Sequence, residues 1–370
     1  MDTIDRIDVY RVEIPLLAPF QTAFAKTYSF ESVLVRFQAG PFISWAEAAP
    51  WRYPAYCAES TSGVMLNLRE FILPLIIGKR FESPRDIHIL LSQFKGNEFA
   101  KSVVDLAWWD LHAQSRHEPL WKTLGGRSPV VDVGADLSVK DSIDELLAEI
   151  GAAVQAGMKR VKLKCKPGWD LDMVAAVRAA FPQLVFHIDC NSAYTLEAAP
   201  LFRKLDQYGL AMIEQPLMHD DLIDHAALQK QIVTPICLDE SITSPARARK
   251  AAAIGACRFV NLKMNRLGGL TPAIQVHDIC REAGIGCWVG GMVATGVETG
   301  YATALATLPN CRYPSDIFPT ARFYVQDVSD PVVDFCAPSQ IAALDKPGIG
   351  YVPNPARLAA WTVDKFAVTR

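Results

Sequence analysis

Long apolar runs are missing from this 370-residue sequence: half of its residues are hydrophobic, yet no stretch approaches the ~20 consecutive apolar residues of a membrane-spanning helix. The opening "MDTIDRIDVYRVEIP" is charged from its second residue and lacks the apolar core of a secretion signal, so a cytoplasmic protein with no membrane partner is expected. Basic runs are missing too. With a net charge of -3 there is no electrostatic footprint for nucleic acid or an anionic surface. The nine cysteines never fall into CxxC spacing, which argues against a zinc knuckle or a disulfide framework and for reduced, mostly buried thiols. No HxH pair exists, so the usual ligand pattern of a zinc hydrolase on a barrel is absent. What remains is a chain with ample core for two domains, or for one barrel with additions, that handles small molecules.

What is present is a repeat. After Pro129, strand-like and helix-like stretches alternate: "VVDVGADLSV", "RVKLK", "LVFHID", "LAMIE", "PICLDE", "RFVNLK" and "IGCWVGG" each lead into an amphipathic helix. The charged residues closing five of these strands, Lys164, Asp189, Glu214, Asp239 and Lys263, are spaced by 25, 25, 25 and 24 positions. That spacing is one strand, one helix and two short loops, the period of consecutive βαβ units. Seven units, with a short eighth strand around "CRYPSDI", favour closure into a TIM-type barrel, and all five charges then lie on the rim where such barrels build active sites. The alternative is a buried ion network without chemistry, but stability alone rarely calls for five charges at one mouth.

Asp189, Glu214 and Asp239 come from successive strands, and three carboxylates without His or Cys suit Mg²⁺, or Mn²⁺ in its place, better than Zn²⁺. Lys164 and Lys263 flank them from opposite sides, four strands apart, as acid/base groups for the two faces of a carbon beside a carboxylate. Strand alternation puts Lys162 on the same face as Lys164. Its like charge, with a metal nearby, is expected to lower Lys164 into the range of roughly 7–8 found for tuned catalytic lysines.

The ordered motifs "VKLK", "HIDCN", "MIEQP", "CLDES" and "VNLKMNRLGG" resemble the enolase superfamily, muconate-lactonising subgroup. "KPGWD", "NSAYTL", "IEQPLMHDDLIDHAAL", "LPN" and "PSDI" look like its o-succinylbenzoate synthase / N-succinylamino acid racemase family. The resemblance covers nearly the whole chain. It implies an α/β fold, a (β/α)7β modified TIM barrel at 129–321 with an α+β capping domain from residues 1–128, to which 322–370 return. It also implies Mg²⁺ on Asp189, Glu214 and Asp239, Lys164 and Lys263 as acid/base residues, Lys162, Asn191, Glu240 and Arg266 as close supporters, a small carboxylate substrate and a homo-oligomer. Two cap loops, "LLAPFQTAF" and "APWRYPAY", would close the site, with Phe20, Phe24 and Tyr53 as candidates to line it.

His187 reads as a hydrogen-bonded interior residue, His219 as a rim or solvated one, and Cys190 as packing. Gly290 and Gly291 would let backbone approach a ligand, with Met292 beside them. Departures from the family pattern bear on substrate: Ala294 stands where the family usually has Glu, and Glu298-Thr299 where it has Gly-Arg, so Glu298 is expected to add negative charge where the family pattern is neutral or positive. Asp136, on the first strand, stands where a small Ser is common. Facing the site, Asp136 would repel a second carboxylate on the substrate and favour a cation or hydrogen-bond donor; alternatively it pairs with a lysine or caps a loop. Three functions follow: a Mg²⁺-dependent racemase or epimerase acting through an enediolate, favoured by the two opposed lysines; a lyase of the o-succinylbenzoate-forming or dehydratase kind; and a non-catalytic metal- or ligand-binding barrel.

Overall fold

A computed structural model describes residues 2–21, 26–54 and 56–370. The chain begins with three antiparallel strands, β1 (Ile4–Gln21), β2 (Lys26–Ala39) and β3 (Phe42–Ala48). The β-branched and aliphatic run in β2 explains its place at the centre of this sheet: Val33, Leu34 and Val35 are all fully buried, so both faces are covered. The helix Glu98–Ser115 lies on β3 and carries Ala100, Val103, Ala107 and Leu111 on its buried side, at the spacing expected from sequence.

The stretch "VVDVGADLSV" divides into two strands. β4 (Val130–Asp132) pairs outward with a later strand, and β5 (Ala135–Leu137) opens the parallel sheet. Gly134 sits at the break, where a Cβ would stand 2.4 Å from the guanidinium of Arg160. Arg160 is fully buried, donates to the carbonyls of Ala135 and Pro314, and pairs with Asp316 at 2.7 Å. The chain bends at a glycine to let this cation through.

From β5 the sheet proceeds in strict sequence order: β6 (Arg160–Lys164), β7 (Val185–Asp189), β8 (Ile213–Glu214), β9 (Ile236–Leu238), β10 (Phe259–Leu262) and β11 (Gly286–Val289), all parallel. The intervening helices start at side-chain caps where the sequence supplies them: Ser142 for Ile143–Gln155, Asp221 for Leu222–Gln229, Ser244 for Pro245–Ile254 and Thr295 for Gly296–Ala306. The eighth segment closes the curl without becoming a regular strand. Cys311 bridges Cys287 of β11, and Ser315 bridges Val133 beside β5. Pro314 between them has no N–H to give a ladder, which accounts for the isolated bridges.

The remainder returns along the outside. β12 (Ser329–Asp330) pairs with β14 (Val352–Pro353), β13 (Gln340–Ala342) with β4, and β15 (Thr362–Thr369) joins the N-terminal sheet as the neighbour of β1. Among the described residues no helix is long and apolar enough to cross a membrane. Because Arg160 fills the space at the bend, Gly134→Ala is expected to destabilise the fold by about 1–3 kcal/mol, the usual cost of overpacking. Thermal or denaturant unfolding checks this; an unchanged midpoint would show that the guanidinium can step aside.

Candidate active site

The site is set by register. Lys164, Asp189 and Glu214 are cross-strand partners on β6, β7 and β8, so their side chains point to one face of the parallel sheet at one level. Asp239 follows β9 and Lys263 follows β10 directly. Lys162, two residues before Lys164 and therefore on the same face, is 3% exposed. Its Nζ lies 2.8 Å from Asp189 Oδ2, 2.8 Å from Glu214 Oε2 and 3.4 Å from Asp316 Oδ2. Burial works against the ammonium, but these acids outweigh it and hold Lys162 well above the usual lysine range.

Lys164 donates to Asp189 Oδ2 at 2.7 Å and to Asn191 Oδ1 at 2.9 Å. Here the protein's own charges reverse the direction expected from sequence. Burial and Lys162 both lower Lys164, yet Asp189 in direct contact outweighs them and its pKa is raised. Asn191 is held in left-handed backbone (φ 43°), a conformation Asn tolerates, from which it donates Nδ2 to Glu240 Oε1 at 3.1 Å. Burial, with Asp239 and Asp189 nearby, pushes Glu240 up to about 7.

Across the mouth, Lys263 Nζ is 3.0 Å from Asp239 Oδ2, and Arg266 bonds Asp239 Oδ1. Both cations also reach Tyr56 Oη, Lys263 at 3.2 Å and Arg266 at 2.6 Å, with the Lys263 ammonium 4.8 Å from the Tyr56 ring centroid. Against burial, Asp239 keeps Lys263 raised, while Arg266 and Lys263 keep Asp239 low. Tyr56 lies in the loop "APWRYPAY", where sequence reasoning picked out Tyr53. Tyr53 is 39% exposed and Tyr56 is the ring that reaches a catalytic candidate. No periodicity governs that loop, so no sequence signal separated the two. Asn261 was also missed: its Nδ2 donates to Glu214 Oε1 at 2.8 Å, and its position two before Lys263 could have revealed it.

Three carboxylates from successive strands are a hard-oxygen donor set that suits a divalent cation. Glu214 Oε2 and Asp239 Oδ2 are buried and lack a well-directed hydrogen bond despite their close ion contacts. As the side chains stand, Asp189 and Glu214 share the Lys162 ammonium while Asp239 turns to Lys263 and Arg266, and among the described residues no three His, Cys, Asp or Glu side chains are gathered to hold an ion. Bringing the acids together around a cation requires these lysines to yield part of their contacts.

The remaining candidates are dispersed. Asp136 is the register partner of Lys162 and shares its face; its Oδ1 is buried without a hydrogen bond, and its carboxylate forms no ion pair among the described residues. Arg322 donates instead to the Asp136 backbone carbonyl, so neither the lysine pairing nor the loop cap considered from sequence is seen. Gly290 and Gly291 serve close approach to the protein itself: a Cβ would stand 2.2 Å from Asn261 Oδ1 in the first case and 2.3 Å from the Asp316 carbonyl oxygen in the second. Met292 is half-buried and Ala294 buried at 2%. Phe24 lies outside the described residues, as does the side chain of Phe20. His187 is wholly buried, with Nδ1 2.9 Å from Tyr313 Oη, as an interior residue should be; His219 is exposed.

Glu298 corrects an expectation. It is 5% exposed in the first turn of Gly296–Ala306, where burial and then Glu47 push its carboxyl up to about 8. It therefore adds little negative charge at neutral pH. Glu47, fully buried on β3, accepts from Thr295 Oγ1 at 2.5 Å and from the backbone N–H of Thr295 and Glu298, each at 3.1 Å. A carboxylate of the N-terminal sheet thus caps a barrel helix.

Two family models match the chain: Mandelate racemase / muconate lactonizing enzyme, N-terminal domain, over residues 6–125, and Enolase C-terminal domain-like over residues 145–357. The chain belongs to the enolase superfamily. Within it, an o-succinylbenzoate synthase of Geobacillus kaustophilus is 38% identical over 360 residues, 97% of this chain and 96% of the relative. An N-succinylamino acid racemase of Thermus thermophilus is 38% identical over 331 residues, 90% of each. The solved structure of a Listeria innocua member of the superfamily matches with a TM-score of 0.96 at 34% identity, over 100% of both chains. The curled parallel sheet and strand-built N-terminal domain are those of the superfamily, and the chain is an enzyme. Its relatives carry a synthase name and a racemase name, both denoting small carboxylates.

The raised Glu298 pKa has a measurable sign. A carboxyl titrating higher in the folded than in the unfolded state, where Glu lies near about 4.3, contributes stability below that value and loses it as pH rises to about 8. Glu298→Gln should therefore match the parent near pH 5 and melt higher near pH 8.5, by on the order of 2–4 °C. Melting curves across that range decide it; a constant offset would place the Glu298 pKa in the normal range.

Proposed function

We propose that this enzyme racemises or epimerises an amino-acid derivative, in the manner of an N-acylamino acid racemase, by removing and returning the proton alpha to a carboxylate. The observation that carries the reading is the pair of lysines, Lys164 at the end of β6 and Lys263 directly after β10, on either side of Asp189, Glu214 and Asp239. In this reading the three acids hold Mg²⁺, with Mn²⁺ able to replace it, and that ion supplies positive charge where the substrate carboxylate gathers electrons. Lys164 takes the α-proton from one face and Lys263 gives one to the other, or the reverse for the opposite enantiomer. Lys162 contacts Asp189 and Glu214, and Arg266 contacts Asp239, fixing where the three carboxylates stand; Asn191 and Glu240 position Lys164; Tyr56 positions Lys263. Residues 1–128 and 322–370 cover a barrel of residues 129–321. The second reading, an o-succinylbenzoate synthase-type lyase, is favoured by the name of the Geobacillus relative. It needs one lysine as base and the other as a fixed cation.

Incubation with N-acylated amino acids in D₂O separates the two. A two-base racemase incorporates deuterium at the α-carbon from either enantiomer, depends on added Mg²⁺ or Mn²⁺, and loses racemisation in Lys164→Ala and in Lys263→Ala, while one of these variants keeps exchange with a single enantiomer. Exchange that survives both substitutions would overturn the assignment of the lysines. Racemisation absent alongside efficient elimination would favour the lyase.

Asp136 bears on the substrate. The Asp136 carboxylate stands on the inner face with Oδ1 buried and without a hydrogen bond, and there it would repel a second carboxylate in the substrate arm, so N-succinyl amino acids should turn over at least about tenfold less well, the equivalent of about 1.4 kcal/mol, than N-acyl derivatives lacking one. Asp136→Ser should narrow that gap. Equal kcat/KM for both classes, unmoved by the substitution, would remove Asp136 from the pocket.

A further inference from the structure

The residues that follow the two ends of the Lys164–Asp189 pair are both cysteines. Cys165 and Cys190 each follow directly on the last paired residues of β6 and β7, and Cys165 N–H donates to the Asp189 carbonyl at 2.9 Å. Neighbouring strands run about 4.7–4.9 Å apart, inside the Cα separation that a disulfide bridges. Their Sγ atoms are 3.4 Å apart, and both are free thiols. Because Lys164 and Asp189 face the barrel interior, alternation carried one residue past each strand turns the two thiols to the opposite side, near Asp170 at the start of the helix Asp170–Ala180. Cys190 is 2% exposed, whereas Cys165 keeps partial contact with solvent. Lys166 N–H and Tyr194 Oη, both bonded to the Asp170 carboxylate, close the loops around the pair.

We propose that Cys165 and Cys190 are a modification site at which a low-molecular-weight disulfide drives formation of an intramolecular disulfide, and that this cross-link disables the site on the other face of the strands. In the first step Cys165, whose thiol is held well above its usual range by burial and the neighbouring Cys190 and Asp170, gives up its proton and attacks one sulfur of the reagent; the proton leaves with the expelled thiol, and a mixed disulfide forms. In the second, the Cys190 thiolate attacks Cys165 Sγ, the Cys165–Cys190 bond forms, and the second reagent thiol departs with the Cys190 proton. Two protein thiols are oxidised by two electrons and one reagent disulfide is reduced to two thiols.

The effect on the site follows from covalent connection. Closing a 3.4 Å contact to a bond of about 2.03–2.05 Å draws together the ends of β6 and β7. Lys164 directly precedes one cysteine, Asp189 precedes the other, and Asn191 follows it. Asn191 is already in left-handed backbone and accepts from Lys164 at 2.9 Å, so the turn has little slack to absorb the shift. Displacements on the order of 1 Å in such a site can cost about 10²-fold in rate.

The test uses the full chain and hydroxyethyl disulfide at pH 8, followed by intact mass and peptide mapping. The expected result is loss of two hydrogens, a Cys165–Cys190 cross-linked peptide, and restoration by dithiothreitol. Mixed disulfide on exposed Cys336 alone, or a cross-link confined to another pair such as buried Cys280 and Cys287, would overturn the site. The functional arm rests on the proposed proton transfer: α-deuterium exchange should fall by about 10²-fold in the oxidised protein and recover on reduction, while treated Cys165→Ala and Cys190→Ser keep their untreated rates. A fully cross-linked protein that exchanges at the parent rate overturns the coupling. A chain that cross-links reversibly but shows no exchange before treatment overturns the proposed function and leaves the modification site standing.

Discussion

A single buried ammonium organises the centre of this molecule. Lys162 has almost no solvent, and its charge is sustained by Asp189, Glu214 and Asp316, contributed by β7, β8 and the closing segment. Removing one partner from such a cluster leaves uncompensated charge in a low-dielectric interior, which is far more costly than breaking an exposed pair. The arrangement couples two requirements. Asp316 ties Lys162 to Arg160, and Arg160 in turn binds β5 to the closing segment, so the barrel's seam and its rim of acids share one charge network.

The rim was legible from sequence because two regularities multiply. The recurring helix and loops return the chain to the rim every 24 or 25 residues, and strand alternation decides which neighbours share a face. Together they place Lys162, Lys164, Asp189, Glu214, Asp239 and Lys263, and would have placed Asn261. What was hidden is non-local or a matter of balance. Nothing in "APWRYPAY" tells Tyr56 from Tyr53, because a loop has no period. The glycines at 290 and 291 make room for an asparagine side chain and a carbonyl supplied by distant segments. The proton affinity of Lys164 depends on whether Asp189 in contact outweighs Lys162 beside it, a contest of distances that a pattern of letters does not contain. Glu298 looked like added negative charge because its burial against Glu47 is a tertiary fact.

The N-terminal sheet does more than roof the barrel. Glu47 caps the helix that follows the Gly290–Ala294 turn, and Tyr301 Oη in that helix donates to the Trp45 carbonyl of β3 at 2.8 Å. These bonds fix the seventh βα unit to the sheet by buried polar contacts with defined geometry, which constrain orientation more tightly than apolar packing.

Lys164 and Lys263 resemble each other as chemical groups and differ as constructions. Among the described residues, every side-chain hydrogen-bond partner of Lys164, Asp189 and Asn191, belongs to the barrel; Lys263 divides its contacts between barrel Asp239 and Tyr56 of an N-terminal loop. The two halves of the site are therefore mechanically unlike. One is an internal joint, finished when the barrel folds, and the other is a seam that is complete only while two parts of the chain are seated. A molecule approached from its two mirror faces meets a fixed wall on one side and a fitted door on the other.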